Sequence, residues 1–197
     1  MHMKLERKYT WRDLLAMPDD GVERWIEEGE LREIHQPEGM EERLMTVRNR
    51  FHSRALSRFV QELLNWLDRQ PEPHGWIVSG EAGVILIEEP ETTVGIDLAY
   101  FLNEVIVRQT DQTTLIVGVP HLAVEILSPT DTIENMTDRV ALYARAGVPL
   151  VWMVNPYNQS ITIHALGARL RVVTIGDELA CEPHLPGFRC PVARLFS

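Results

Sequence analysis

Cysteine is scarce in this sequence, and long apolar runs are absent. Only Cys181 and Cys190 occur among 197 residues, too few for a disulfide framework. No apolar run approaches the length of a membrane span, and the stretch from Met1 to Tyr9 lacks the apolar segment of a signal peptide. We therefore expect a cytoplasmic protein with reduced cysteines and no membrane partner.

Basic residues are also few relative to acidic ones, which at first argues against a nucleic-acid partner. The chain has 19 basic and 29 acidic residues, for a net charge of −10. The acidity is mostly local, because the segment from Asp19 to Glu42 holds ten acidic residues and two arginines. The segment from Arg43 to Val60 then holds five arginines and no acidic residue. A polyanion can meet that second segment despite the global charge.

Composition and length favour one globular domain over residues 1–197. Hydrophobic residues make up 45% and charged residues 24%, both ordinary for folded proteins. No internal repeat and no Pro/Gly-rich linker divides the chain. We distinguish an N-terminal extension (10–42), a core (46–155), and additional strands with a closing segment (156–197).

The hydrophobic pattern predicts an α/β (α+β) order of elements. Helices are expected after Thr10, over 46–69, and from an N-cap at Asp131 to about Ala146, before Gly147. Strands are expected as a pair within 22–34 and over 76–87, 94–101, 120–127, 148–154, 160–166 and 169–175. The run Gly80-Glu81-Ala82-Gly83 interrupts the second of these as a bulge or turn. The pattern assigns no structure to residues 103–115.

Two acidic residues lie inside apolar runs that indicate buried strands. These are Asp97 in VGIDLAYF and Glu125 in PHLAVEIL. An ionised carboxylate buried without a partner costs several kcal/mol, so each needs a cation, hydrogen-bond donors or a solvent-filled cleft. One hard divalent metal ion would satisfy both. The alternative is that each residue ends a strand or pairs with an arginine.

The helix that follows Glu125 carries an arginine on the flank of its apolar face. Helical spacing puts Arg139 there, with Asn135 one turn earlier on the same flank. A flank arginine on a helix that packs against the sheet can reach the strand ends where the carboxylates lie. The alternative is an ordinary surface arginine.

Three further features are weaker candidates. His52 falls on the apolar stripe of the long helix, where a hydrogen-bonded core histidine is more common than a ligand. Glu81, between two glycines, is either an additional cleft carboxylate or a turn residue. Arg50, Arg54 and Arg58 share the opposite helix face, where they are either solvated or in contact with DNA phosphates.

The longest motifs resemble those of one nuclease family. An acid in GIDLAYF, then HLAVEILSPTD, YARAGVPLVWMVNP and finally LPGF resemble the Uma2 family of restriction endonucleases, which is assigned to the PD-(D/E)XK nuclease superfamily. The match runs from about Tyr9 to Phe196, and the histidine of FHSRALSRFV matches the family's helix histidine.

The resemblance implies a restriction-endonuclease-like core, with a mixed central sheet between helices, that cleaves DNA with Mg²⁺ or Mn²⁺. It implies that Asp97, Glu125 and the backbone carbonyl of Ile126 are metal ligands. It also implies a homodimer, because the superfamily cuts both strands with paired subunits. The acidic N-terminal strands would offer a docking edge.

The sequence departs from the family pattern at several positions. Leu127 occupies the place of the superfamily's catalytic lysine, and Arg139 replaces the helix lysine of this family. Asn135 replaces an acidic residue one turn earlier, and Ile96 replaces the proline before Asp97. Arginine keeps a positive charge but cannot act as a base. The sequence therefore supports two hypotheses about function. In the first, the protein is a metal-dependent DNA endonuclease in which Arg139 orients water or stabilises charge. In the second, it keeps the nuclease fold with weakened or no activity and acts as a binding or regulatory module.

Overall fold

A computed structural model describes residues 8–18, 22–34, 49–129 and 131–197 of the chain. Predictions that concern other residues lie outside this part. They include the acidic residues between 35 and 42, Arg43, Arg48, and the expected helix start at 46–48.

Five helices are described in this part of the chain. They are α1 (Trp11–Leu15), α2 (Arg50–Leu67), α3 (Asn103–Ile106), α4 (Ile133–Ala146) and α5 (Val192–Phe196). Three of them, α1, α2 and α4, lie where the sequence pattern predicts helices. Asn49 begins α2, since its side-chain oxygen accepts hydrogen bonds from the backbone N–H groups of Phe51 and His52. Gly147 ends α4 with a left-handed φ of 82°, a conformation that glycine adopts at little cost.

The N-cap of α4 is one residue later than the sequence predicts. The hydroxyl of Thr132 accepts a hydrogen bond from the backbone N–H of Asn135 at 3.1 Å. The carboxylate of Asp131 instead accepts the backbone N–H of Ser128 at 2.6 Å. Asp131 therefore closes the turn that follows the preceding strand, and the prediction that it caps the helix was wrong.

Eleven strands are described, nine of them in one sheet. They are β1 (Glu23–Glu27), β2 (Glu30–Ile34), β3 (Trp76–Ile87), β4 (Thr92–Phe101), β5 (Ile116–Val117), β6 (Leu122–Ile126), β7 (Leu150–Asn155), β8 (Ser160–Ala165), β9 (Arg171–Thr174), β10 (Glu178–Ala180) and β11 (Arg189–Pro191). The main order is β2-β1-β4-β6-β7-β8-β9, and β3 pairs with β4 and with the short β5. The pairs β6–β7 and β3–β5 are parallel and the others antiparallel, so the sheet is mixed. The segment that the sequence left unassigned supplies α3 and a turn that leads to β5.

Apolar layers on both faces of the sheet confirm the expected mixed sheet between helices. One layer packs α2 against the sheet through residues such as Phe59 and Leu63, both fully buried. The other packs α4 against it through Leu142 and Tyr143. Among the described residues, no helix has the length and apolar character to cross a membrane.

The sheet forks along one edge of β4. Strand β3 pairs with β4 over its full length, from Trp76 opposite Phe101 to Ile87 opposite Thr92. The other edge of β4 is shared by two strands: β6 pairs with its C-terminal half and β1 pairs at Thr93. Pairing with β6 stops at Leu98. Asp97 therefore lies where β6 and β1 diverge.

The N-terminal extension is anchored to the core at this fork. Ile26 of β1 is fully buried, and its neighbour Glu27 forms an ion pair with Arg145 of α4. The backbone N–H of Gly29 donates to the carbonyl of Glu91 at 2.8 Å. These contacts hold β1 beside the fork, and the backbone N–H of Trp11 donates to Oε1 of Glu91, which attaches α1 there as well.

Candidate active site

A bulge in β3 lies directly opposite Asp97. The pairing skips from Ser79 opposite Leu98 to Ala82 opposite Ile96, so Gly80 and Glu81 together oppose Asp97. Both bulge residues have positive φ, 90° for Gly80 and 58° for Glu81, so the run between the glycines is a bulge as predicted. At the same position in β4, Ile96 and Ala99 pack in the same layer, although a spacing of three normally puts side chains on opposite faces of a strand.

Asp97 is 6% exposed and has a hydrogen-bond donor at each oxygen. Its Oδ2 accepts the backbone N–H of Ile126 at 2.8 Å, which bridges the gap where β4 and β6 separate. Its Oδ1 lies 3.1 Å from Nε2 of His52, on α2. No partner is found for Nδ1 of His52 in the described part of the chain. Because a bare acceptor nitrogen is easier to bury than an N–H without an acceptor, we assign the proton to Nε2, which then donates to Asp97.

Glu125 is 4% exposed and is held by two residues of α4. The hydroxyl of Tyr143 donates to its Oε1, and Nη1 of Arg139 lies 3.1 Å from its Oε2. Arg139 and Tyr143 are four residues apart, so both point to the same side of α4. Arg139 is therefore the arginine partner that the alternative interpretation of Glu125 expects, and its role in a metal site stays a prediction.

Tyr143 is the residue of this cluster that the sequence interpretation missed as part of the site. Helical spacing assigned it to the apolar face of α4, and it is fully buried as expected. Burial, and then the negative charge of Glu125, raise the pKa of Tyr143 well above its ordinary value. Tyr143 therefore stays a hydroxyl donor to Glu125. The spacing of four from Arg139 was the signal that would have found it.

The two carboxylates open into a cleft of about 490 Å³ within the fork. The predicted site residues that line it are Glu81, Asp97, Glu125, Ile126, Asn135 and Arg139. His52 lies behind Asp97 and contacts it from α2. The structure thus brings together residues from β3, β4, β6 and α4.

The arginine stripe of α2 is separate from this cleft. Arg50 and Arg54 are exposed, and Arg58 donates to the backbone carbonyl of Ser197 at 3.1 Å. None of the three lines the cleft, and Arg54 and Arg58 instead border a shallow surface hollow. Contact of these arginines with DNA stays a prediction.

The oxygen ligands in the cleft suit one hard divalent cation whose coordination positions are only partly filled by protein atoms. A carboxylate oxygen has two lone pairs, so the four oxygens of Asp97 and Glu125 keep acceptor capacity beside the hydrogen bonds described. Among the described residues, no group of three His, Cys, Asp or Glu side chains is placed to hold a metal ion. Mg²⁺ commonly takes one or two protein carboxylates and fills its remaining positions with water or phosphate oxygens. The residues present therefore fit such an ion.

The mixed sheet, its two covering helices and the paired carboxylates define a nuclease-like α/β fold. The chain belongs to the Uma2 family, described as "Putative restriction endonuclease", whose family model matches residues 22–193. The fold is similar to a crystal structure described as a putative nuclease of the DUF820 family from Anabaena variabilis, with a TM-score of 0.70 and 16% identity. That match covers 95% of this chain and 97% of the other. No curated protein matches the sequence.

Proposed function

We propose that this protein is a Mg²⁺- or Mn²⁺-dependent endonuclease that hydrolyses DNA phosphodiester bonds in the forked cleft. One observation carries the proposal: two buried carboxylates, Asp97 and Glu125, reach the same cleft from strands that diverge there. Restriction endonuclease-like proteins usually need divalent metals. Asp97, Glu125 and the carbonyl of Ile126 would hold the ion.

A bound divalent cation lowers the pKa of a coordinated water and polarises a phosphoryl oxygen. The protein residues keep the ligands in place for this chemistry. His52 and the N–H of Ile126 fix the rotamer of Asp97, and Tyr143 and Arg139 fix that of Glu125. Hydrogen bonds from such partners orient metal-binding carboxylates and tune their affinity.

Arg139 has a role that differs from that of a lysine. A guanidinium is a hydrogen-bond donor and not a base, so Arg139 cannot remove a proton from water. It can place a fixed positive charge beside the phosphoryl oxygens, where negative charge develops during the reaction. We expect weak activity because this site lacks a lysine.

The charge of the cleft supports a requirement for a cation. Two arginines, Arg24 and Arg139, line it. The acidic residues that line the cleft outnumber these arginines. They are Glu27, Glu81, Asp97, Glu125, Asp131 and Asp138. An excess of negative charge repels a phosphate group. DNA should therefore enter the cleft only when a divalent cation is bound.

Cleavage of plasmid and single-stranded DNA in Mn²⁺ tests the proposal. Asp97→Asn and Glu125→Gln keep the size of each side chain and should abolish cleavage. Glu178→Gln is a matched control, because Glu178 forms a surface ion pair with Arg189 at 2.6 Å. If the native protein cleaves and Asp97→Asn cleaves equally well, the assignment of the site is wrong.

A specific observation also favours the second function, a binding or regulatory module. The cation of Arg139 already pairs with Glu125, one of the two carboxylates that a metal would need. Calorimetry with Mn²⁺ separates the two functions. Millimolar or tighter binding that Glu125→Ala abolishes supports the endonuclease. Lack of Mn²⁺ binding, together with retained association with DNA or a protein, supports the module.

A further inference from the structure

The cleft wall that the N-terminal extension builds is mainly apolar. Its lining residues from this segment include Leu14, Leu15, Met17, Pro18, Val22 and Trp25. Trp25 and Glu27 share one face of β1, and Glu27 reaches Arg145 of α4. Trp25 therefore lies on the same side of the sheet as Glu125, which contacts Arg139 of that helix.

Proteins bind nucleic acids by neutralising phosphates with cations or by stacking bases on apolar and aromatic side chains. Few cationic side chains are available in the cleft to neutralise phosphates. Arg24 forms an ion pair with Glu33 at 2.7 Å, and Arg139 forms one with Glu125 at 3.1 Å. Other arginines or lysines are not found among the described residues that line the cleft. Affinity inside the cleft must therefore come largely from the apolar wall and from a bound cation.

In a duplex, each base is stacked and paired inside the helix, and an apolar wall beside the phosphate would meet only sugar and phosphate. An unpaired nucleotide can instead turn its base toward that wall. The volume of the cleft, about 490 Å³, lies in the range of pockets that bind one small organic group. The wall is also held in place by the anchoring contacts of β1, so little conformational entropy is lost on binding.

We propose that the cleft takes one unpaired nucleotide, with its base against the wall of α1 and β1 and its phosphate toward Asp97 and Glu125. The preferred substrate is then single-stranded or locally unpaired DNA rather than intact duplex. This inference rests on the proposed nuclease function and specifies its substrate class.

Binding is the primary test, because it does not depend on turnover. A labelled single-stranded oligonucleotide and the duplex of the same sequence are titrated with the native protein in Ca²⁺, followed by fluorescence anisotropy. We expect about fivefold or tighter binding of the single strand, since stacking of one base contributes at least about fivefold. Equal or tighter binding of the duplex would overturn the inference.

Leu15→Glu tests the wall itself. Leu15 is 55% exposed at the end of α1, so a polar residue there is compatible with folding. The matched control is Leu170→Glu, which adds the same charge at a residue that is 58% exposed and does not line the cleft. We expect Leu15→Glu to weaken single-strand binding about tenfold or more and Leu170→Glu to leave it unchanged. A uniform loss for single strand and duplex would contradict a role for the wall.

Cleavage assays on single-stranded and duplex DNA distinguish failure of the nuclease function from failure of the proposed substrate preference. If Mn²⁺-dependent cleavage requires Asp97 but favours duplex, the nuclease function stands and the inference about substrate fails. If neither form of DNA is cut but the single strand binds through Leu15, the nuclease function fails and the nucleotide site stands.

Discussion

The guanidinium of Arg139 lies 3.1 Å from the carboxylate of Glu125, with Nη1 facing Oε2. The resemblance to the family implies a lysine at the position of Arg139, and Glu125 is a proposed metal ligand. The ion pair satisfies a buried acid and also places a cation beside the proposed metal ion. Substitutions at Arg139 therefore carry the most information about whether the site is active.

Replacing Arg139 by lysine should raise metal-dependent cleavage. A compact ammonium can approach the attacking water more closely, and its pKa responds to burial. Arg139→Ala should abolish cleavage and lower the free energy of unfolding by about 1–3 kcal/mol, because buried Glu125 loses a charged hydrogen-bond donor. Rates are measured on plasmid DNA in Mn²⁺ and stability by urea unfolding.

Arg189→Ala is the control for that series, since Arg189 pairs with Glu178 at the surface and contributes little to stability. Equal cleavage by the native, lysine and alanine forms would refute the role of Arg139. Activity that appears only in the lysine form would identify the native protein as a disabled nuclease.

His52 should act on metal binding through Asp97. His52→Leu removes the donor to Oδ1, and loss of such a partner typically weakens metal affinity about 10- to 100-fold. His52→Gln carries a donor at a similar distance along the side chain and should recover most of that affinity. Calorimetric Kd values for Mn²⁺ check this prediction, and equal values for the leucine and glutamine variants would contradict it.

Tyr143 should make stability depend on pH in the alkaline range. Its pKa is raised in the folded protein, so above the ordinary tyrosine pKa of about 10 the unfolded chain loses a proton that the folded protein keeps. The stability from this group is complete below about pH 10 and is lost as pH rises further. Tyr143→Phe should therefore have a shallower loss of stability between pH 9 and 11 than the native protein.

Tyr143→Phe should also cost about 1–3 kcal/mol at neutral pH, because Oε1 of Glu125 loses its donor. Tyr157→Phe serves as the control, since Tyr157 is 46% exposed and its hydroxyl accepts a solvent-exposed hydrogen bond from Asn49 instead of donating to a buried carboxylate. Urea unfolding at several pH values measures both effects. Parallel pH profiles for the native protein and Tyr143→Phe would count against the assigned donor role.

We expect a homodimer in solution. Among the described strands, β2 is the outer strand at one end of the sheet, and an edge strand can pair with that of a second copy. Light scattering should give twice the chain mass of 22.6 kDa. A monomer at high micromolar concentration would contradict the prediction.

The sequence by itself determined the longer helices and strands and the candidate residues, whereas short elements such as α3 and β5 had no pattern of their own. Apolar periodicity located α2, α4 and the buried strands. Apolar residues recur every three to four positions in a helix that packs on one face and form short continuous runs in a buried strand. Asp97 and Glu125 were identified as candidate site residues because they lie inside apolar runs, where a buried charge needs a partner. Helical spacing alone placed Arg139 toward the strand ends.

The tertiary structure decided how these elements meet. No local pattern shows that β1 and β6 share one edge of β4, because strand pairing depends on contacts distant in sequence. The same long-range pairing turned the acidic extension into a wall of the cleft and set the bulge of Gly80 and Glu81 opposite Asp97. It also gave Tyr143 a second role, since an apolar helix position becomes a hydrogen-bond donor only when a carboxylate such as Glu125 lies within reach.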